Sequence, residues 1–131
     1  MLGGERVLVV DIDGTLCEIK QPGQSYADVA PVPAVVQRLA DYRLQGFRVA
    51  LYTSRNMRSH DGNIGEITAK TVPVLIEWLA HNGIEYDELH VGKPWPGVGG
   101  FYIDDRTVRP DEFLALTYEQ ILTLINAGDQ E

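Results

Sequence analysis

Short β-rich runs alternate with helical patterns along this sequence, and this alternation limits the possible folds more than any other feature. The β-rich runs cover residues 6–10, 47–52, 87–91 and 100–103. Helical patterns cover 33–45 and 72–79 and resume after Thr117. Strands that alternate with helices pair in parallel, because each helix returns the chain to the same edge of the sheet. We therefore predict an α/β protein with a three-layer α/β/α, Rossmann-like arrangement around a mainly parallel sheet.

Specific residues mark the ends of these helices. Pro33 suits a first helical turn, and Gly46 follows the last turn of the same helix. The second helix is predicted to end at residues 81–83, which read His-Asn-Gly. The last helix is predicted to begin with a capping box formed by Thr117 and Gln120.

Polar side chains follow every predicted strand. They are Asp11 and Asp13 after the first, Thr53 after the second, Lys93 after the third, and Asp104 and Asp105 after the fourth. Because the carboxyl ends of parallel strands meet at one edge of a sheet, we expect these side chains to gather there. Four carboxylates in a small volume raise one another's pKa unless a cation lies among them. Oxygen ligands without a His or Cys cluster favour Mg²⁺ as that cation.

The remaining polar groups at this edge suit a phosphoryl group. Lys93 supplies a fixed positive charge and Thr53 a hydroxyl donor. Asp11 and Asp13 are two positions apart on an extended chain, so both carboxylates can address one phosphorus atom. Gly14 allows the sharp bend that turns backbone N–H groups towards the same oxygens.

Four segments in this order resemble the motifs of the haloacid dehalogenase (HAD) superfamily of phosphatases. They are "DIDGT" (11–15), "LYTSR" (51–55), "GKP" (92–94) and "YIDD" (102–105). The resemblance implies that Asp11 attacks phosphorus and forms an aspartyl-phosphate. It also implies that Asp13 protonates the leaving oxygen and then activates a water molecule.

The same resemblance implies roles for the other motif residues. Thr53 and Lys93 would hold the phosphoryl group. The metal would be held by the carboxylate of Asp11, the backbone carbonyl of Asp13 and an acidic residue of the fourth motif. Either Asp104 or Asp105 could bind it directly, and the sequence leaves both open.

A longer set of segments resembles small HAD proteins of capsule or lipopolysaccharide biosynthesis that lack a cap domain. The set comprises "LYTSRNM", "GNIGEI", "TVPVLIEWL", "GKPWPG" and "GFYIDDRTVRPDEF". This resemblance implies a phosphorylated sugar or sugar acid as substrate, and a homo-oligomer that covers the open site. A missing cap agrees with the segment lengths, because residues 16–32 suffice only for a hairpin flap and 54–92 are expected to hold mostly one helix.

Substrate contacts are predicted in the loops beside the motifs. The candidates are Ser54, Arg55 and Asn56, which follow Thr53, and Trp95, which follows Lys93. The planar fork of Arg55 matches a second anionic group on the substrate. The ring of Trp95 could stack on a sugar or a base, or pack against the flap.

Composition excludes several other classes of protein. A length of 131 residues fits one domain, 1–131. A net charge of −8 argues against nucleic acid or an anionic membrane as partner, because both require a basic surface. No apolar run is long enough to cross a bilayer, and the single cysteine, Cys17, forms no internal disulfide and is expected only to pack. We therefore expect a cytoplasmic protein.

These observations predict a Mg²⁺-dependent phosphomonoesterase that acts on a small phosphorylated metabolite. A second enzyme hypothesis is a phosphotransferase or nucleotide phosphatase on the same fold. A third hypothesis is a phospho-ligand-binding module without turnover.

Overall fold

The computed structural model describes residues 6–125, which fall into two compact units, Met1–Trp95 and Pro96–Glu131. The first unit contains strands β1 (Val7–Asp11), β2 (Arg48–Tyr52) and β3 (Glu88–His90) and helices α1 (Pro33–Leu44), α2 (Ile64–Lys70) and α3 (Val72–His81). It also has a 3₁₀ turn at Tyr26–Asp28. The second unit contains α4 (Pro110–Ala115) and α5 (Tyr118–Leu124). The prediction that residues 1–131 form a single domain stays a prediction.

The three strands form a parallel sheet in the order β1-β2-β3. Asp11 at the end of β1 lies opposite Tyr52 at the end of β2, and Tyr52 lies opposite His90 at the end of β3. All three strands therefore finish at the same edge. The predicted α/β class and the parallel pairing are confirmed, and the sheet with its connecting helices is consistent with a Rossmann-like fold.

The core of the first unit lies around the central strand. Val49 and Leu51 of β2 are completely buried. Apolar residues from the helices pack around the sheet, namely Val35 and Leu39 of α1, Ile67 of α2, and Leu75 and Leu79 of α3. No helix within residues 6–125 is long and apolar enough to cross a membrane.

The predicted helix ends agree closely with the structure. Helix α1 begins at Pro33, and α3 ends at His81, directly before Asn82 and Gly83. The capping box of α5 is present in both directions. Gln120 N donates to Thr117 Oγ1 at 3.2 Å, and Thr117 N donates to Gln120 Oε1 at 2.9 Å.

The prediction of mostly one helix within residues 54–92 is wrong, because the segment holds α2 and α3. Asn63 starts the extra helix, and its side chain accepts a hydrogen bond from Glu66 N at 3.1 Å. Thr71 separates the two helices. Pro73, in the first turn of α3, has no N–H to continue the hydrogen bonds of α2.

The predicted strand at 100–103 is also absent from the structure. Phe101 and Ile103 are 76% and 89% exposed. A strand of this length needs a neighbouring strand for its backbone groups, and the described part of the second unit, 96–125, contains helices only.

Residues 16–32 form the predicted flap, with a hairpin-like base. Glu18 N donates to Ala30 O at 3.0 Å, and Val32 N donates to Leu16 O at 2.8 Å. Next to this base the flap is fastened to α3, because the indole Nε1 of Trp78 donates a buried 2.8 Å hydrogen bond to Val29 O. The flap is thus held at its base and at a second point.

Candidate active site

The candidate site of the first unit lies where the three parallel strands end. Beyond β2, Thr53 N donates to His90 O at 3.0 Å, and Lys93 N donates to Thr53 O at 3.2 Å. These bonds extend the pairing of β2 and β3 and place Lys93 beside Thr53. Gly92 makes the turn possible with a φ of +86°, and a Cβ there would come within 2.8 Å of Ile64 Cδ1.

A tight turn after β1 presents the two aspartates. The carbonyl of Ile12 accepts hydrogen bonds from the N–H groups of Thr15 and Leu16, at 3.1 and 2.9 Å. Gly14 adopts a φ of +86° within this turn, and its N–H donates to Cys17 O at 2.8 Å. The side chains of Asp11 and Asp13 flank the completely buried Ile12.

Asp11 has a separate donor for each carboxylate oxygen. Lys93 Nζ lies 3.3 Å from Oδ1, and Thr15 Oγ1 donates to Oδ2 at 3.2 Å. Burial raises the pKa of Asp11, the contacts with Lys93 and Thr15 oppose this, and the charge of Asp13 adds a smaller upward contribution. Repulsion between carboxylates, which the sequence suggested, is therefore present but is not the main cause.

Asp13 lies against Arg55, a contact that the sequence did not predict. Arg55 Nη2 donates to Oδ1 at 2.9 Å and Nε donates to Oδ2 at 3.2 Å, so the guanidinium grips both oxygens. Thr53 Oγ1 adds a hydrogen bond to Oδ2 at 3.3 Å. The Arg55 side chain is only 1% exposed, whereas that of Asp13 is 25% exposed. The Asp13 side chain is thus hydrogen-bonded to buried groups and is still partly exposed to solvent.

The guanidinium of Arg55 also has a neighbour in the flap. Its central carbon lies 4.2 Å from the centroid of the Tyr26 ring. Burial raises the pKa of the Tyr26 hydroxyl, and the negative charge of Asp13 raises it further. The remaining guanidinium nitrogen, Nη1, is buried and has no hydrogen-bond partner among residues 6–125.

Cys17 lies beside the same pair of charges. Its Sγ is 3.6 Å from Asp13 Oδ1 and 3.9 Å from Arg55 Nη2. Burial and the nearby carboxylate raise the pKa of the thiol to about 12. The thiol therefore stays protonated at neutral pH, which agrees with the expectation that Cys17 packs and is not a nucleophile.

The other predicted substrate-contact residues, Ser54, Asn56 and Trp95, differ in their burial and contacts. Ser54 is half-buried, and Trp95 is 48% exposed. Asn56 has a left-handed backbone with a φ of +62°, and its Oδ1 accepts a 2.7 Å hydrogen bond from Thr71 Oγ1. Asn56 therefore ties the loop after β2 to the junction of α2 and α3. Contact of these residues with a substrate stays a prediction.

The fourth motif belongs to the second unit. Asp104 and Asp105 are exposed, and Asp104 Oδ1 accepts a hydrogen bond from Arg106 N at 2.9 Å. Within residues 6–125, no group of three or more His, Cys, Asp or Glu side chains is arranged to hold a metal ion. The Mg²⁺ site and the parts of Asp104 and Asp105 in it stay predictions.

Comparisons with known proteins support the fold. No protein-family model matches the chain, and no curated protein matches it. A crystal structure of a target protein from Vibrio cholerae is 43% identical and superimposes with a TM-score of 0.88, covering 94% of this chain and 98% of that one. The chain belongs to the same family as that Vibrio cholerae protein.

Proposed function

We propose that the protein is a HAD-type phosphomonoesterase in which Asp11 is the nucleophile and Asp13 the acid and base. The arrangement of the two aspartates carries this proposal. They stand two residues apart at one edge of a parallel sheet, Asp11 bound by Lys93 and Asp13 gripped by Arg55. The finer fold we propose is the three-layer, capless HAD-like sandwich. In support of it, residues 16–32 hold only a flap, and 54–92 hold two helices and β3 with their connections.

In the first step, an oxygen of Asp11 attacks phosphorus and the bond to the leaving oxygen breaks. Asp13 gives its proton to that oxygen, so an alcohol departs and an aspartyl-phosphate remains. In the second step, water attacks the same phosphorus while Asp13 takes a proton from it, and the bond to Asp11 breaks to release inorganic phosphate. The ammonium group of Lys93, next to Asp11, balances the negative charge of the phosphoryl oxygens.

The donor set is compatible with Mg²⁺. The first unit offers carboxylate oxygens from Asp11 and Asp13 and backbone carbonyls beside them, which are the hard oxygen ligands that Mg²⁺ prefers. Asp11 would bind the ion through its carboxylate and Asp13 through its carbonyl. The ion would supply positive charge to the phosphoryl oxygens. Further ligands from Asp104 or Asp105 remain part of the proposal.

The proposed substrate is a small phosphoester, with a sugar phosphate or phosphorylated sugar acid favoured by the resemblance described above. Trp95 is exposed and follows Lys93 closely in the chain, which supports the proposal that its ring contacts a substrate bound beside Lys93. We also propose a homo-oligomer, which analytical ultracentrifugation would test.

Release of inorganic phosphate from a panel of phosphosugars, sugar-acid phosphates and nucleotides tests the proposal. We expect release that requires Mg²⁺, is abolished by EDTA and is lost in Asp11→Asn. Asp111→Asn is the matched control, because Asp111 is an exposed carboxylate of α4. Substrate consumption without free phosphate would indicate transfer to another acceptor. Binding without any consumption would refute the phosphatase proposal in favour of a binding module.

A further inference from the structure

We infer that Arg55 is a positioning residue, which is backed by Tyr26 and holds the Asp13 carboxylate in the orientation that proton transfer requires. The inference rests on the proposed function, because it assigns Arg55 to the acid and base of that reaction. It differs from the sequence-based hypothesis, in which the same arginine binds an anionic group of the substrate.

The contacts of the guanidinium decide between these two roles. Its Nε and Nη2 are both bound to Asp13, one to each oxygen. The third nitrogen, Nη1, is buried. With its side chain 1% exposed, Arg55 offers no surface on which a dissolved substrate could bind. A bidentate pair also fixes the plane of a carboxylate, which a single contact does not.

The backbone beside Arg55 is fixed as well. Arg55 N donates to Thr53 Oγ1 at 2.9 Å, and the same hydroxyl donates to Asp13 Oδ2. Thr53, Arg55 and Asp13 thus form a closed ring of hydrogen bonds. On the other side of Arg55, the left-handed backbone of Asn56 is held by the hydroxyl of Thr71, which is buried. Strained backbone held by its surroundings is typical of functional sites.

Tyr26 completes the arrangement from the flap. Its ring covers the face of the guanidinium, where the positive charge and the ring attract one another. The flap that carries Tyr26 is fastened to α3 through the bond from Trp78 to Val29. The flap therefore acts on Asp13 through Arg55, and both the stacking ring and the planar fork should be needed for proton transfer.

The test uses two substrates that differ in their need for a proton. The leaving group of p-nitrophenyl phosphate departs as a stable anion, whereas the alkoxide of glycerol phosphate must be protonated as it leaves. Both substrates form the same aspartyl-phosphate, on which Asp13 acts again, so the informative quantity is kcat/KM, which reports only the steps up to departure of the leaving group. For Arg55→Lys, which keeps the charge and loses the fork, we expect kcat/KM for glycerol phosphate to fall about tenfold or more. We expect kcat/KM for p-nitrophenyl phosphate to change by less than about threefold.

The matched control is Arg58→Lys, since Arg58 is an exposed arginine of the same loop. It should behave as the parent protein. A rise in KM on both substrates in Arg55→Lys, with kcat unchanged, would show that Arg55 binds substrate and would overturn the inference. An equal fall of kcat/KM for both substrates would also overturn it, because the defect would not lie in protonation of the leaving group.

Two variants of Tyr26 provide a second test, which is still available if Arg55→Lys does not fold. Tyr26→Phe keeps the ring and should retain the parent's rates. Tyr26→Ala removes the ring and should lower kcat/KM for glycerol phosphate several-fold more than kcat/KM for p-nitrophenyl phosphate. Parent-like rates in Tyr26→Ala would remove Tyr26 from the inference.

A separate measurement distinguishes failure of the proposed function from failure of this inference. If the parent protein releases no phosphate from any substrate, the phosphatase proposal fails. The orientation of Asp13 is then compared in crystal structures of the parent and of Arg55→Lys. A carboxylate that turns away from its parental position supports the positioning role, and an unmoved carboxylate overturns it.

Discussion

Replacing Trp78 by Phe should destabilise the protein through the flap. Trp78 is 4% exposed, and its Nε1 donates the 2.8 Å hydrogen bond to Val29 O. Phenylalanine keeps most of the apolar packing but leaves this buried carbonyl without its indole donor, which costs about 1–3 kcal/mol. The smaller ring also leaves a cavity, which adds on the order of 1 kcal/mol. We therefore expect the free energy of unfolding to fall by about 2–4 kcal/mol.

This loss is a large share of the roughly 5–15 kcal/mol that stabilises an ordinary domain. The assay is urea unfolding followed by circular dichroism, which does not depend on tryptophan emission. Trp95→Phe is the control, because Trp95 is 48% exposed and its replacement should change stability by less than about 0.5 kcal/mol. Equal midpoints for the two variants would refute the view that Trp78 fastens the flap.

Three further predictions concern the site. Asp11→Asn should abolish phosphate release and stabilise the protein at pH 7, because the pKa of Asp11 is raised in the folded protein and its charged form therefore costs stability above that pKa. The gain in the free energy of unfolding, measured in urea, should vanish as the pH falls towards 3.8, and a gain that persists at low pH would contradict this. Asp13→Asn should lower turnover by about a hundredfold or more while phosphate binding, measured by calorimetry, survives. Cys17, with a thiol pKa of about 12, should resist iodoacetamide in the folded protein at pH 8 and react only in urea. Rapid labelling of the native protein, detected by mass spectrometry, would show that the thiol is not buried and protonated as described.

The sheet and the helix ends were predictable because they follow from local rules. Pro33 and the Thr117–Gln120 capping box act within one turn of their own helices, so sequence alone identifies them. Parallel pairing follows from alternation, which needs no knowledge of particular contacts. The break between α2 and α3 was equally local, and Asn63 with Pro73 was a signal that could have revealed it.

The error at residues 100–103 has a different origin. The run has the residue types of a strand, but β propensity reflects packing on a sheet and not an intrinsic preference of the backbone. The described part of its unit provides no strand to pair with. A β-rich run is therefore weaker support for a strand than a capping box is for a helix.

The contacts within the site were only partly predictable. Asp11 and Lys93 are 82 residues apart, yet their meeting follows from their positions at the ends of parallel strands. Arg55 was correctly placed near Thr53 by its spacing of two residues, but its partner was not evident. The contact of Arg55 with the Tyr26 ring was not evident either, because a flap of irregular backbone has no periodicity from which to infer it.

The attachment of the flap at Trp78 also gives the native protein an optical reporter. The sequence contains two tryptophans, one shielded beneath the flap and one half open to solvent at Trp95. Iodide ions reach an exposed indole and quench its fluorescence, but they do not enter the protein interior. Emission that persists in iodide therefore comes from Trp78, and a ligand that shifts the flap would change its wavelength or intensity without any attached label.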